Sequence, residues 1–278
     1  MWGISPISDL SPIPPTRVGD RVPPGRAYRE ELDAVVTDMR QVRGGASPYD
    51  TIAELYDPWS RSVTEDVDFY VAEAQRAGGP VVELGIGTGR IAIPIAQKGI
   101  RVIGIDSSRE MLAACRRRAD EEGVAELLDL HLGDLRSPPL HEEVPLIVCP
   151  FRSYLHLADD GERVEALTAA RAALRPGGRL VFDVFAPKPD DIAETHGRWL
   201  EREPGIYELA DWNEGARTLI LSVRGPSGAA TMALAWISRE EWQQLLEETG
   251  FTVEACYGWF DRTPFGGGED MVFVARAV

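Results

Sequence analysis

The sequence predicts an α/β domain built on a doubly wound, mostly parallel sheet, and three observations carry that expectation. Beyond Gly79, short apolar runs alternate with helical stretches, strand then helix, several times over. The runs are apolar nearly throughout, as expected of strands covered on both faces. The first of them, PVVEL, leads into a loop with glycine at every second position, Gly85, Gly87 and Gly89.

Residues 1 to 26 contain Pro6, Pro12, Pro14, Pro15, Pro23 and Pro24 among polar residues, a composition that disfavours helix and packs little apolar surface. This reads as an extended arm, a mobile tail or a segment that wraps its own domain or a neighbouring subunit of a homo-oligomer. Tyr28 to Arg43 have helical spacing at Leu32, Val35, Val36 and Met39 before Gly44 and Gly45 stop them. A second helix is expected at about Thr64 to Ala77.

The strands RVIGID, LLDLHL, PLIVCP and RLVFDVF follow PVVEL, separated by helices near Arg90 to Gln97, Ser108 to Glu122 and Gly161 to Leu174, the last closed by RPGG. After Phe185 the rhythm breaks. Residues 187 to 237 include two alternating segments, GIYELADW and RTLILSVR, joined by NEGA, which reads as an antiparallel insertion. Its Trp199, Tyr207, Trp212 and Trp236 could line a ligand pocket or fill a core. Ser238 with Glu241 forms a capping box for a helix ending at Gly250. FTVEACYGWF and DMVFVARAV are the final strands, and DRTPFGGGED between them predicts a flexible hairpin connection without a catalytic role.

Composition narrows the function. With 278 residues, 44% hydrophobic and 27% charged, the chain can bury a large core. Cys115, Cys149 and Cys256 are too few and scattered for a disulfide framework or zinc cluster, so no metal site is signalled and a reducing compartment is expected. The N-terminus lacks the basic and apolar regions of a leader and no run reaches spanning length, which predicts a cytoplasmic protein with no membrane partner. A net charge of −16 without a Lys/Arg stripe argues against nucleic acid.

A glycine loop between a parallel strand and a helix lies at the carboxyl edge of the sheet, where glycine admits positive φ and lets a ligand approach bare backbone. Dinucleotide folds favour GxGxxG, but here the third glycine comes one residue early and Arg90 takes the expected place. Asp106 ends the next strand about twenty residues on, where a carboxylate can accept from both ribose hydroxyls. Asp134 follows the third strand, where an acceptor could meet an adenine amino group. Taken singly, each acid could be a helix cap or turn residue.

In combination, the strings Glu83-Leu84-Gly85-Ile86-Gly87-Thr88-Gly89, GIDSSREML, GDLR and LRPGGRLVFDVF resemble the class I methyltransferases that use S-adenosyl-L-methionine, over roughly residues 48 to 278. The resemblance implies a seven-stranded sheet with a reversed last strand, an N-terminal helical cap and a catalytic domain over 48–278 with 187–237 as a cap insertion, leaving 1–47 as arm and helix. It implies that Glu83 and the glycines meet the methionine end of the cofactor, Asp106 with Ser107 beside it the ribose, Met111 the adenine face, and Asp134 and Leu135 the adenine edge. By strand position alone, Glu83 could equally be a polar terminus.

Methyl transfer from a sulfonium is an in-line displacement, so the protein mainly aligns two partners and excludes water. In the loop after the fourth strand, Pro150 and Phe151 should border the methyl group. Ser153 to Leu157 resemble sugar N-methyltransferases, which makes His156 a candidate base or acceptor anchor beside its alternative as a histidine bonded within the loop. YDTIAELYDPWSR resembles the cap segment of this group, so Tyr49 is carried over to the cofactor and Tyr56 to the reacting centre, although aromatics there can also be packing residues. Cys149-Pro150 reverses the Pro-Cys of cytosine C5-methyltransferases and reads as a buried small residue. The expected function is methylation at N or O of a small-molecule acceptor. The alternative is a partner protein that binds the cofactor without turnover. A nucleotide-dependent reductase fails on glycine spacing and on Ala158 where a Tyr-x-x-x-Lys pair from Tyr154 would need lysine.

Overall fold

Strands β1 (Val81–Leu84), β2 (Val102–Asp106) and β4 (Val144–Cys149) are buried along their whole length, which is why their sequences show no polar alternation. With β3 (Leu128–Leu132), β5 (Leu174–Phe185), β10 (Phe251–Tyr257) and β11 (Asp270–Ala277) they form a seven-stranded sheet in the order β10-β11-β5-β4-β1-β2-β3. Pairing is parallel from β3 across to β5, whereas β11 runs antiparallel to both β5 and β10. The reversed last strand is therefore present. A computed structural model describes residues 47–278, so the proline-rich arm and the helix expected over Tyr28 to Arg43 lie outside the described residues.

The helices are α1 (Ala53–Trp59), α2 (Val67–Ala77), α3 (Ala92–Ala96), α4 (Arg109–Glu121), α5 (Asp160–Ala173), α6 (Pro189–Thr195) and α7 (Arg239–Glu248). Side chains start several of them where the sequence predicts. The Ser108 hydroxyl accepts from the Met111 amide of α4 at 3.1 Å. In the capping box of α7, Ser238 Oγ accepts from Glu241 N at 3.2 Å while Glu241 Oε2 accepts from Ser238 N at 2.8 Å. Among the described residues, no helix is long and apolar enough to cross a membrane.

Two compact units divide the described chain, one of residues 63–186 and 237–278, the other of residues up to Ser62 with 187–236. In the larger unit strand order reverses between β1 and β4, a switch point that leaves a crevice at the carboxyl ends of these strands. Two details differ from expectation. RPGG does not follow the helix as a terminator: Leu174 already pairs with Val144, Arg175 to Gly178 loop out with Gly177 at φ +75°, and Arg179 resumes opposite Leu146. The DRTPFGGGED connection is anchored rather than loose, because Arg262 bonds the fully buried Glu73 of α2 and lies 4.6 Å over the Phe69 ring.

In the smaller unit β6 (Trp199–Glu203), β7 (Ile206–Asn213), β8 (Thr218–Gly225) and β9 (Gly228–Ala235) form an antiparallel sheet in chain order. β7 and β8 are the alternating pair read from sequence. β6 is highly charged and β9 rich in alanine, compositions with poor strand preference that only pairing to neighbours overrides. Trp212 and Trp236 pack edge to face at 5.5 Å and are buried, so they serve this core. Buried Glu208 accepts from Trp59 Nε1 of α1 at 2.7 Å and pairs with Arg202 at 3.1 Å.

Candidate functional site

The three alternating glycines all take left-handed backbone, with φ of +71° at Gly85, +55° at Gly87 and +83° at Gly89. At Gly85 a Cβ would lie 2.6 Å from Ser153 Oγ, so the loops after β1 and β4 touch through bare backbone. Asp106, the last residue of β2, ties this loop down. Its Oδ2 accepts from Gly87 N at 2.8 Å and its Oδ1 from Ser108 N at 2.8 Å. The carboxylate is nearly buried, and each oxygen can accept more than one hydrogen bond. Ser107 is exposed beside it, and Met111 is buried on the first turn of α4.

Glu83 of β1 is 2% exposed, and its Oε2 has no hydrogen-bond partner among the described residues. Burial holds its carboxyl well above the usual range, opposed by the nearby Arg90 guanidinium. An orphaned buried carboxyl oxygen beside a glycine loop fits a cationic ligand group, which would supply the missing partner. Arg90 itself holds Asp66 through both guanidinium nitrogens at 2.6 Å and lies 4.6 Å over the Phe151 ring. The position where a dinucleotide fold has glycine is thus used to brace the next loop.

Past β3, Asp134 is bound on both oxygens by Arg136, with Nε at 2.9 and 3.1 Å. Arg136 also pairs with Glu162 of α5, whose Oε2 accepts from Ala158 N at 2.8 Å. A chain of charged hydrogen bonds therefore runs from Asp134 to the segment just after His156. Leu135 is half-buried between the two paired residues. GDLR contained both partners of the first link, but nothing local in it indicates Glu162.

The loop after β4 is the most constrained part of the region. Phe151 and Arg152 are consecutive non-glycine residues at φ +58° and +64°, an arrangement that persists only where surroundings impose it. Asp183 of β5, buried among apolar neighbours, accepts from Phe151 N at 2.8 Å, from Arg152 N at 3.1 Å and from Tyr70 Oη of α2 at 2.5 Å. Burial raises its carboxyl to about 6. Pro150 is buried, and its carbonyl accepts from Ser153 Oγ at 2.8 Å. His156 ends the 3-10 turn Ser153–His156. It is half-buried, and desolvation lowers its imidazole to about 4, so it is neutral at pH 7. Cys149 is fully buried with its thiol pushed up, a small core residue rather than a nucleophile.

The fold thus gathers Glu83, the three glycines, Asp106, Ser107, Asp134, Leu135, Pro150, Phe151 and His156 at the carboxyl ends of β1 to β4. Tyr49 and Tyr56 belong to the smaller unit, where their rings meet edge to face at 6.1 Å and Tyr56 meets Trp59 at the same distance. Tyr70, Asp183, Arg90 and Asp66 escaped the sequence reading as a group. The one visible signal was an acid inside the apolar run LVFDVF.

Comparison with known proteins agrees with this geometry. Residues 81–178 match the family model described as a methyltransferase domain. An uncharacterized methyltransferase of Geobacillus kaustophilus is 33% identical over 169 residues, covering 60% of this chain and 74% of the relative. Among solved structures, the CcbJ methyltransferase of Streptomyces caelestis superposes with a TM-score of 0.71 at 26% identity, over 82% of this chain and 97% of that one. CalS10 of Micromonospora echinaspora, an amino pentose methyltransferase solved with bound S-adenosylmethionine, gives 0.57 at 22% identity over 81% and 95%. Together with the doubly wound sheet and its reversed last strand, these matches show the family: the chain belongs to the class I S-adenosylmethionine-dependent methyltransferases.

Proposed function

We propose that the enzyme methylates a nitrogen or oxygen of a small-molecule acceptor, and that Glu83, the glycine loop, Asp106, Met111 and Asp134 hold the cofactor. The observation that carries the acceptor reading is a neutral histidine on the same loop as Pro150 and Phe151. S-adenosylmethionine supplies a methyl group already activated on a sulfonium. The protein then has to hold, orient and exclude water. Glu83 would receive the ammonium, and Asp106 the ribose hydroxyls. Arg136 presets the direction of the Asp134 carboxylate toward the adenine edge, and Leu135 covers it. Pro150 and Phe151 would border the methyl group.

His156 would act as base or anchor. A neutral imidazole can accept from an acceptor N–H or O–H without first losing a proton, and its nitrogen costs less to bury than an imidazolium. The amino pentose methyltransferase among the fold neighbours makes amino sugars the first acceptors to try. Purified protein given cofactor carrying a labelled methyl group should transfer label to an amino sugar or its hydroxyl counterpart, and His156→Gln should reduce turnover by about tenfold or more at nearly unchanged cofactor affinity. Equal turnover would assign His156 to loop structure. A protein that binds cofactor but labels no member of the panel would favour the partner-protein reading.

The same histidine makes a pH prediction. Its folded value, about 4, lies below the ordinary 6.5, so its contribution to stability is complete above 6.5 and is lost as pH falls toward 4. Melting temperature should fall more steeply over that window in the wild type than in His156→Gln, and parallel curves would contradict the buried neutral state.

A further inference from the structure

We infer that Asp183 is a positioning residue for methyl transfer, holding the left-handed turn at Phe151 and Arg152 against the transferred group. The inference rests on the reading that Pro150 and Phe151 border the methyl group. Two consecutive β-carbon-bearing residues at φ +58° and +64° cost free energy that an unsupported loop would shed by relaxing. Here the turn points both of its N–H groups at one carboxylate. Oδ1 of Asp183 takes Phe151 N and Oδ2 takes Arg152 N, at 2.8 and 3.1 Å. Successive amides in this conformation form a concavity suited to an anion, and the protein fills it with its own acid.

The acid is fixed in turn. It lies on β5, in register with β11 through Val272, which holds its Cα in the ladder, and the fully buried Tyr70 of α2 donates from Oη to its Oδ1 at 2.5 Å. The turn is also gripped from its side chains. Arg90 lies over the Phe151 ring, while Arg152 pairs with Asp270 and lies 5.0 Å over Phe185. The hydrogen bonds of Asp183 among the described residues go to Tyr70, Phe151 and Arg152 and not to the glycine loop. Its loss should therefore be felt where the methyl group sits and not where the ribose does.

The test needs no acceptor. In the full-length apo-protein, the Phe151 and Arg152 amides should exchange hydrogen slowly, and in Asp183→Asn at least about tenfold faster, with β4 amides still protected. By titration calorimetry, Asp183→Asn should bind S-adenosylhomocysteine within about twofold of wild type but lose roughly threefold or more of its affinity for S-adenosylmethionine relative to it. Unchanged amide exchange would overturn the inference, as would equal losses for the two ligands. Should Asp183→Asn not fold, Tyr70→Phe removes one donor and keeps the ring: faster exchange at Phe151 with a selective loss for S-adenosylmethionine supports the inference, and wild-type behaviour overturns it. Asp106→Ala separates the underlying reading, since the ribose is common to both ligands. If that variant binds both as well as wild type, the cofactor placement fails, whatever the amides at 151 and 152 do.

Discussion

Glu73→Ala is expected to lower the unfolding free energy of the larger unit by about 3 kcal/mol, the low end of what breaking a buried ion pair costs. Glu73 is fully buried on α2, with Arg179 of β5 at 2.7 Å from Oε2 and Arg262 of the β10–β11 connection at 2.5 Å from Oε1. One carboxylate therefore joins a helix, a central strand and a long loop. Removing it leaves two guanidiniums without the anion that pairs them. Arg179 is 14% exposed and Arg262 30%, so both recover some hydration, which is why the low end is expected. Arg76, at 3.3 Å but 58% exposed, adds little. Urea unfolding of wild type and variant reads the difference as a midpoint shift at constant slope. A loss below about 1 kcal/mol would mean that the cluster is a surface-like network despite its burial.

Asp106→Ala is expected to weaken S-adenosylmethionine binding by about ten- to a hundredfold, the value of one or two charged hydrogen bonds. Two effects add. On the proposed placement the ribose loses its acceptor, and Gly87 N and Ser108 N lose the oxygens that now hold them at 2.8 Å, so the cradle itself loosens. Asp106→Asn keeps one acceptor oxygen and should fall between wild type and alanine. Calorimetric titration of all three proteins checks this, and an alanine variant that binds like wild type would remove Asp106 from the cofactor site. Accepting from an amide on each oxygen also explains why an acid at this strand end tolerates near-complete burial.

Local chemistry was read well. Helix starts at Ser108 and Ser238 depend on a hydroxyl and an amide three residues on, and both form as expected. The apolar strands were legible because burial on both faces leaves a continuous run. β6 and β9 were not, since WLERE and GAATMALA owe their extended form to pairing with β7 and β8. RPGG was misplaced for a related reason: proline and glycine announce a break, but whether it falls at a helix end or inside a strand depends on what pairs with Leu174 and Arg179.

The sequence by itself determined the alternating architecture, the glycine cradle, the acids after β2 and β3, and hence the family. Each of these is a property of neighbouring residues, governed by side-chain period, allowed φ or short-range capping. Tertiary structure alone decided which distant side chains meet the buried acids Asp183 and Glu73. Tyr70 meets Asp183 across 113 residues of chain and Arg262 meets Glu73 across 189. No local preference encodes such meetings. They arise because the sheet carries α2, β5 and the β10–β11 connection to one place, where a buried carboxylate must find donors or forfeit its hydration.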